Sequence, residues 1–413
     1  MGNPGPTDGQ PMDADARRTR RDFLVAAGAV GAGMLLTGAG GIAAAADEKN
    51  SGERSEPVAE RHTLNVRDFG AKGDGKTDDT AAIQKALDSA AGTQGTVFVP
   101  EGLYMSGELK MSPGTALCGF PVWSYRHSQG AVIRLNDSAA KCLLNLTGAY
   151  GAMVNGVCFH GGKLGGERPI HGIMVDKPDY GSQEDTPRID GCRVEQFTGD
   201  GIRLERIWCF SVRHSHSVHN GGCGLRVRGW DGFILDNWFS GNAMAGFGAY
   251  DESASNTLTA NRIEWNRQGG ILIHGGSTYN ITGNYIDRSG RSGIALLPRG
   301  ESHCGVITAT GNVIYRSGKP DWGKESEYDS SHARFEEVRG LVFIGNAMTA
   351  GRDDGNRGAL SPDYSIVVHR LASSIIKDNV MHEGSLKGLL VDLGEHDAET
   401  VVIKDNVGTL QKA

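Results

Sequence analysis

Surplus positive charge, aromatic rings, proline and long apolar runs are all scarce in this chain. The formal net charge is −7, so there is no cationic footprint and nucleic acid is not expected as a partner. Beyond the first few dozen residues no segment stays apolar long enough to cross a bilayer. Aromatic residues make up 7% of the sequence and prolines number 13, which suits a narrow core of stacked aliphatic side chains rather than one built on large rings. Seven cysteines, at 118, 142, 158, 192, 209, 223 and 304, form no CxxC pair and hence no recognisable zinc site. Most read as core fillers. One disulfide among Cys192, Cys209 and Cys223 stays open as a reading for an oxidising setting, and the odd total leaves at least one thiol unpaired.

Glycine, by contrast, is plentiful at 61 residues, and much of it is periodic. Gly201-Ile202, Gly224-Leu225, Gly246-Phe247, Gly270-Ile271 and Gly293-Ile294 recur at spacings of 23, 22, 24 and 23. Asn237, Asn261 and Asn284 each sit nine residues before such a pair, and Asn312, Asn346, Asn379 and Asn406 extend the series. Asn220, Asn242 and Asn266 lie four residues before their glycines. Amides repeated at two corners of a coil can bond to the amides above and below. Each glycine pair opens an alternating run, as in Gly-Ile-Arg-Leu-Glu (201 to 205) and Gly-Leu-Arg-Val-Arg (224 to 228), with one apolar set pointing inward. Leucine-rich and ankyrin arrays of similar period need a leucine signature or paired helices, and neither is present. The expected fold is all-β, a right-handed parallel β-helix. A solenoid grows by adding rungs, so 413 residues need not mean several domains.

The first 46 residues read as an address rather than as fold. Thr19-Arg20-Arg21-Asp22-Phe23-Leu24 precedes a run rich in alanine and glycine, and Ala43 to Ala46 offers small residues for cleavage. This is the pattern of a twin-arginine export signal, which makes the mature protein extracellular and free of the membrane after cleavage. Residues 47–61 are charged and polar with little to bury and read as a linker. The β-helix domain then spans 62–413, with 62–119 as N-terminal cap and first rungs. Asp79 or Thr80 caps a helix with apolar face Ile83, Ala86, Leu87 and Ala90, ended by Gly92. Such a helix covers the open end of the coil.

The stretch Asn-Val-Arg-Asp-Phe-Gly-Ala-Lys-Gly-Asp-Gly-Lys-Thr-Asp-Asp-Thr from Asn65, followed by Gly-Thr-Val-Phe-Val-Pro-Glu-Gly-Leu-Tyr from Gly95, closely resembles the opening of the pectate-lyase-like β-helix superfamily. Rhamnogalacturonases, polygalacturonases, epimerase-like proteins and many phage tailspikes share that segment. The resemblance implies carbohydrate as the substrate class without fixing the reaction. The Gly-His-Gly of polygalacturonases and the Arg-x-Pro-x-x-Arg of calcium-dependent pectate lyases are both missing. Tyr250-Asp251-Glu252 and the run Arg334 to Val342 are similar to inulin fructotransferases, which cleave fructan by intramolecular transfer. Many superfamily members form trimers, which makes a homotrimer one reading of the oligomeric state.

Aligning rungs on the glycine pairs assigns outward side chains to columns. Four residues after each glycine stand Asp176, Glu205, Arg228, Tyr250, His274 and Leu297; two residues after stand Met174, Arg203, Arg226, Gly248, Leu272 and Ala295. Adjacent rungs lie about 4.8 Å apart, so Asp176 and Glu205 come close enough for one carboxyl pKa to rise, as acid–base work requires. Asp231, Asp251 and Glu252 follow into the adjoining turn. These five carboxylates are the candidate acid and base groups of a glycoside hydrolase. Arg203, Arg226 and Arg228 would hold an anionic sugar, and Trp230 and Tyr250 would stack on it. Elimination from a uronate is the alternative, with Tyr250 or His274 as proton donor; so are fructan transfer and a non-catalytic glycan-binding solenoid. No cofactor is expected, apart from a calcium ion if the enzyme is a lyase. The competing reading of every outward charge is a solvated ladder pairing across rungs. His214, His216 and His219 alternate near a corner, but no Asp or Cys completes a metal set with them. Residues 177–187 and 316–339 interrupt the period, and long loops on a regular coil wall a groove.

Overall fold

The computed structural model describes residues 63–120, 129–251 and 253–412. The expected export signal and linker therefore lie outside the described residues. From Thr63 onward the chain winds into a parallel β-helix. One parallel sheet of 22 strands and another of 13 contain nearly all the strands, and an antiparallel hairpin, Gly351–Asp353 with Arg357–Ser361, makes a third small sheet. Each full turn lays down three strands, giving three faces.

Stacking is strict on the face that carries the columns. Ile173, Ile202, Leu225, Phe247, Ile271, Ile294, Ala333 and Ile366 are successive register partners and all are fully buried. Alternation does this: a two-residue period that puts Ile202 and Leu204 inside leaves Arg203 and Glu205 outside. Ile202–Arg213 and Leu225–Leu235 are long because each turns a corner without breaking pairing; the register slips between Glu205 and Ile207, and Arg206 takes φ +55°.

The corner amides form the expected ladders. Asn237 donates from Nδ2 to Asn261 Oδ1 at 3.0 Å, and the same bond repeats through Asn284, Asn312, Asn346 and Asn379 to Asn406 at 2.8–3.0 Å. Asn220, Asn242 and Asn266 form the second ladder, at 3.1 and 2.9 Å. Each buried amide also takes a backbone N–H from the rung before it, so Asn261 N–H donates to Asn284 Oδ1. The turns thus satisfy their polar groups without water.

Thr80–Ala91 forms the capping helix, and its buried residues are Ile83, Ala86, Leu87 and Ala90. The expected cap differs in detail. Asp79 occupies the cap position but makes no side-chain cap bond; its carboxylate instead accepts the backbone N–H groups of Lys72 and Gly73. Asp78 accepts the Thr80 N–H in its place.

All seven cysteines are free thiols, so no disulfide joins Cys192, Cys209 and Cys223. They fall on neighbouring turns but at different points around the rung: Cys192 Sγ lies 3.2 Å from Asp190 O, while Cys223 Sγ lies 4.0 Å from the Tyr250 hydroxyl. The long interruption expected over 316–339 is also shorter than it reads. Two 3₁₀ turns, Pro320–Trp322 and Glu327–Asp329, carry the insertion, and Ser331–Glu336 rejoins the coil by pairing with Ile294–Leu297.

Candidate functional site

The two outward columns stand where the glycine period puts them. Met174, Arg203, Arg226, Gly248, Leu272 and Ala295 are register partners in turn, and so are Asp176, Glu205 and Arg228, then Tyr250, His274 and Leu297. A cleft of about 300 Å³ opens over them, lined by Asp176, Arg203, Glu205, Arg206, Arg226, Arg228, Tyr250 and Asp251.

Glu205 is nearly buried and already engaged. Its Oε1 lies 2.8 Å from Arg203 Nη2 and 3.6 Å from Arg226 Nε. The expected pairing of two carboxylates on adjacent rungs is thus modified: Asp176 is the exposed register partner of Glu205, and two guanidinium groups take up the Glu205 charge. Arg206, unassigned in the sequence, closes one side and donates to Lys177 O at 2.6 Å. Asp251 pairs with Arg299.

Tyr250 lies across its own strand. A Cβ built at Gly248 would meet Tyr250 Cε2 at 2.9 Å and Cys223 Sγ at 3.0 Å, so the glycine makes room for the ring. Arg226 sits 4.8 Å above that ring and His274 stacks on it with centroids 5.4 Å apart. Burial is the main reason the Tyr250 hydroxyl is held well above its ordinary pKa. Burial likewise pushes the His274 imidazole down, helped by the Arg299 charge. At neutral pH both groups are therefore uncharged, one a proton donor and the other a proton acceptor.

The structure does not bring every candidate together. Asp231 turns away from the cleft and accepts the Trp208 indole N–H at 3.1 Å, because φ +57° at the corner aims it along the next face. Trp230 is not an open platform: Tyr180, on the 177–187 loop, stacks flat on it with centroids 3.9 Å apart. That loop covers Trp230 and is pinned by a buried Lys177–Asp185 ion pair at 2.7 Å, but none of its residues lines the cleft. Glu252 lies outside the described residues. His214 pairs with Asp190 at 2.8 Å, and His216 is buried against Trp238. Among the described residues no group of three His, Cys, Asp or Glu could hold a metal ion. Calcium takes six to eight oxygen ligands; the cleft offers four arginines and three carboxylates, two of which, Glu205 and Asp251, are held by arginines, a donor set that does not fit it.

A further row lies beside the two columns. His171, Asp200 and Cys223 each precede the rung glycine, and Asp200 is buried with its Oδ2 3.3 Å from Arg203 Nη1. Their only sequence signal is that shared place one residue before the glycine. Nor do the columns end at Leu297, since Ala295 pairs with Arg334, whose guanidinium bonds Glu336 at 2.8 Å. The 298–330 insertion hid that continuation.

Comparison with known proteins agrees with the fold. Residues 63–135 match the model described as rhamnogalacturonase A/epimerase, pectate lyase-like, and residues 144–303 and 205–346 match the right-handed β-helix region. The chain is a right-handed parallel β-helix whose opening segment matches the pectate-lyase-like model. Alginate lyase 7 of Azotobacter vinelandii is 34% identical over 190 residues, 42% of this chain and 20% of that protein. Probable rhamnogalacturonase A of Aspergillus oryzae is 29% identical over 255 residues, covering 54% of this chain and 53% of its own. The chain therefore spans between a fifth and about half of those relatives. The A-module of mannuronan C-5 epimerase AlgE4 from Azotobacter vinelandii superposes with a TM-score of 0.59 at 20% identity, over 84% of this chain and 97% of the module; at that identity the likeness is one of fold.

Proposed function

We propose that this β-helix is a polysaccharide-active enzyme whose substrate is a uronate polymer and whose first step removes the proton α to the sugar carboxylate. The observation that carries this reading is the arginine set, register partners Arg203 and Arg226 with Arg228 in the adjacent column, beside an uncharged Tyr250 and an uncharged His274. Guanidinium groups bind a carboxylate through paired, charge-assisted hydrogen bonds and stabilise the negative charge that grows on it as the proton leaves. His274 takes the C5 proton. Tyr250 gives its own proton to the glycosidic oxygen, the C4–O bond breaks and a C4–C5 double bond forms. Return of a proton to the opposite face of C5 instead gives the epimer with the chain intact. Names of relatives include both an alginate lyase and mannuronan C5-epimerases, which supports this pair of outcomes. A neutral fructan offers the arginines no anionic group to bind.

The second reading is hydrolysis with Asp176 and Glu205 as acid and base, favoured by their pairing on adjacent rungs. One experiment separates the two. Polymannuronate, polygalacturonate and inulin are incubated with the protein in heavy water, with ultraviolet absorbance, reducing ends and deuterium at C5 followed together. Deuterium at C5 of an intact chain, or ultraviolet-absorbing unsaturated ends, is expected; new reducing ends with neither signal would replace elimination by hydrolysis. No product from any polymer would leave a glycan-binding solenoid. Export through the twin-arginine pathway belongs to the proposal and rests on residues 19–46. Replacing Arg20 and Arg21 with lysine is expected to retain the protein inside the cell.

A further inference from the structure

One margin of the cleft has no part in the chemistry above. His171 and Asp200, which precede Gly172 and Gly201, meet at the corner where the coil enters the arginine face. Asp200 is 4% exposed. Its Oδ1 accepts the Cys223 N–H at 2.8 Å, which fixes the carboxylate, while its Oδ2 lies between Arg203 Nη1 at 3.3 Å and His171 Nδ1 at 3.4 Å. The same His171 nitrogen accepts the Asp200 backbone N–H at 2.9 Å. Nδ1 is therefore unprotonated and the ring carries its hydrogen on Nε2. A Cβ at Gly199 would stand 2.7 Å from that nitrogen, so glycine there is what lets the imidazole approach.

We propose that Asp200 is a positioning residue that aims Arg203 into the cleft, and that protonation of His171 withdraws that hold. This rests on reading Arg203 as a carboxylate-binding group. A proton on Nδ1 ends its acceptance of the Asp200 N–H and turns it into a donor. The nearest acceptor is Oδ2, the oxygen that serves Arg203. One carboxylate oxygen cannot give both groups its best geometry, so Arg203 loses its second anchor and keeps only Glu205. The charged groups facing His171 are Asp200 and Arg203 on the next rung, Arg226 on the rung after, and Asp176 on its own strand; Cys142 is its register partner behind. Burial and the two arginines hold the imidazole below its ordinary pKa, against the pull of Asp200 and Asp176. The switch therefore acts on the acid side of neutrality, and the neutral, substrate-ready state prevails above it.

The test has one arm with ligand and one without. Dissociation constants of mannuronate and galacturonate trisaccharides are measured as pH falls through the imidazole range, for the wild type, Asp200→Asn and His171→Asn. Asparagine at 171 keeps an acceptor for the Asp200 N–H and cannot titrate. Affinity of the wild type is expected to fall as the solution becomes acid, His171→Asn to lose that dependence, and Asp200→Asn to bind on the order of tenfold more weakly. In the ligand-free protein the Arg203 guanidinium NMR signals are expected to move with pH in the wild type and to stay fixed in His171→Asn. Identical Arg203 titrations in those two proteins, or wild-type affinity in Asp200→Asn, would overturn the relay. If no uronate binds at any pH the substrate class fails, and the ligand-free titration still decides whether the relay exists.

Discussion

At the scale of single residues, the least conspicuous side chain in the cleft has the largest consequence. Gly248 follows Arg203 and Arg226 in its column, and its missing Cβ lets the Tyr250 ring lie between Arg226 and His274. Gly248→Ala is expected to lift the ring and reduce turnover on the order of 100-fold, with thermal unfolding little changed; a calorimetric scan beside the rate assay separates the two effects. His332 gives a different prediction. It is fully buried, its Nε2 lies 3.0 Å from Gly384 O, and burial holds its pKa down at about 3 against an ordinary 6.5. The unfolded chain binds a proton that the folded chain refuses between those values. Stability contributed by the neutral ring is thus complete above about pH 6.5 and is lost as pH falls toward 3, by at most about 1.4 kcal/mol per unit. Urea unfolding at several pH values, compared with His332→Gln, should show a shallower acid loss in the variant.

At the scale of the element, the asparagine ladders bear much of the turn structure. Asn284 donates to Leu258 O and Asn312 Oδ1 and accepts from the N–H and Nδ2 of Asn261, all in a buried corner. Asn284→Ala leaves several of these groups unpaired, and a loss of about 3 kcal/mol or more is expected at roughly 1–3 kcal/mol each. Asn406, half-buried on the last described rung, should cost less than about 1 kcal/mol when changed to Ala. Denaturant midpoints of the two variants check the contrast; equal losses would mean the ladder is ornament. These ladders were legible because a fixed period needs only counting. Asp79 stands at the N-cap as its place in the sequence indicates, but its carboxylate turns to the Lys72 and Gly73 amides, because where a cap side chain points is decided only after the loop closes.

Across the whole molecule, a chain of net charge −7 presents a cleft lined by four arginines against three carboxylates. A cationic groove on an anionic body attracts a polyanion while its remaining surface repels one, and salt weakens both effects within a screening length of about 10 Å at 0.1 M. The Michaelis constant for a uronate polymer is therefore expected to rise with ionic strength, and Arg226→Ala to flatten that slope; a salt-independent constant would argue for a neutral glycan. No helix among the described residues is long and apolar enough to cross a membrane.

By itself the sequence determined the coil, its corner ladders and the two columns of the cleft, because a parallel stack converts a spacing of some 23 residues into direct contact between neighbouring rungs. Tertiary structure alone decided what the side chains in those columns do: that Glu205 is engaged by Arg203 and Arg226, that Tyr250 bends over Gly248, that Asp231 leaves the site, and that Asp200 stands behind Arg203. Period fixes where a Cβ lies, while the direction beyond it depends on rotamers, corner φ angles and partners drawn from loops of irregular length, none of which repeats.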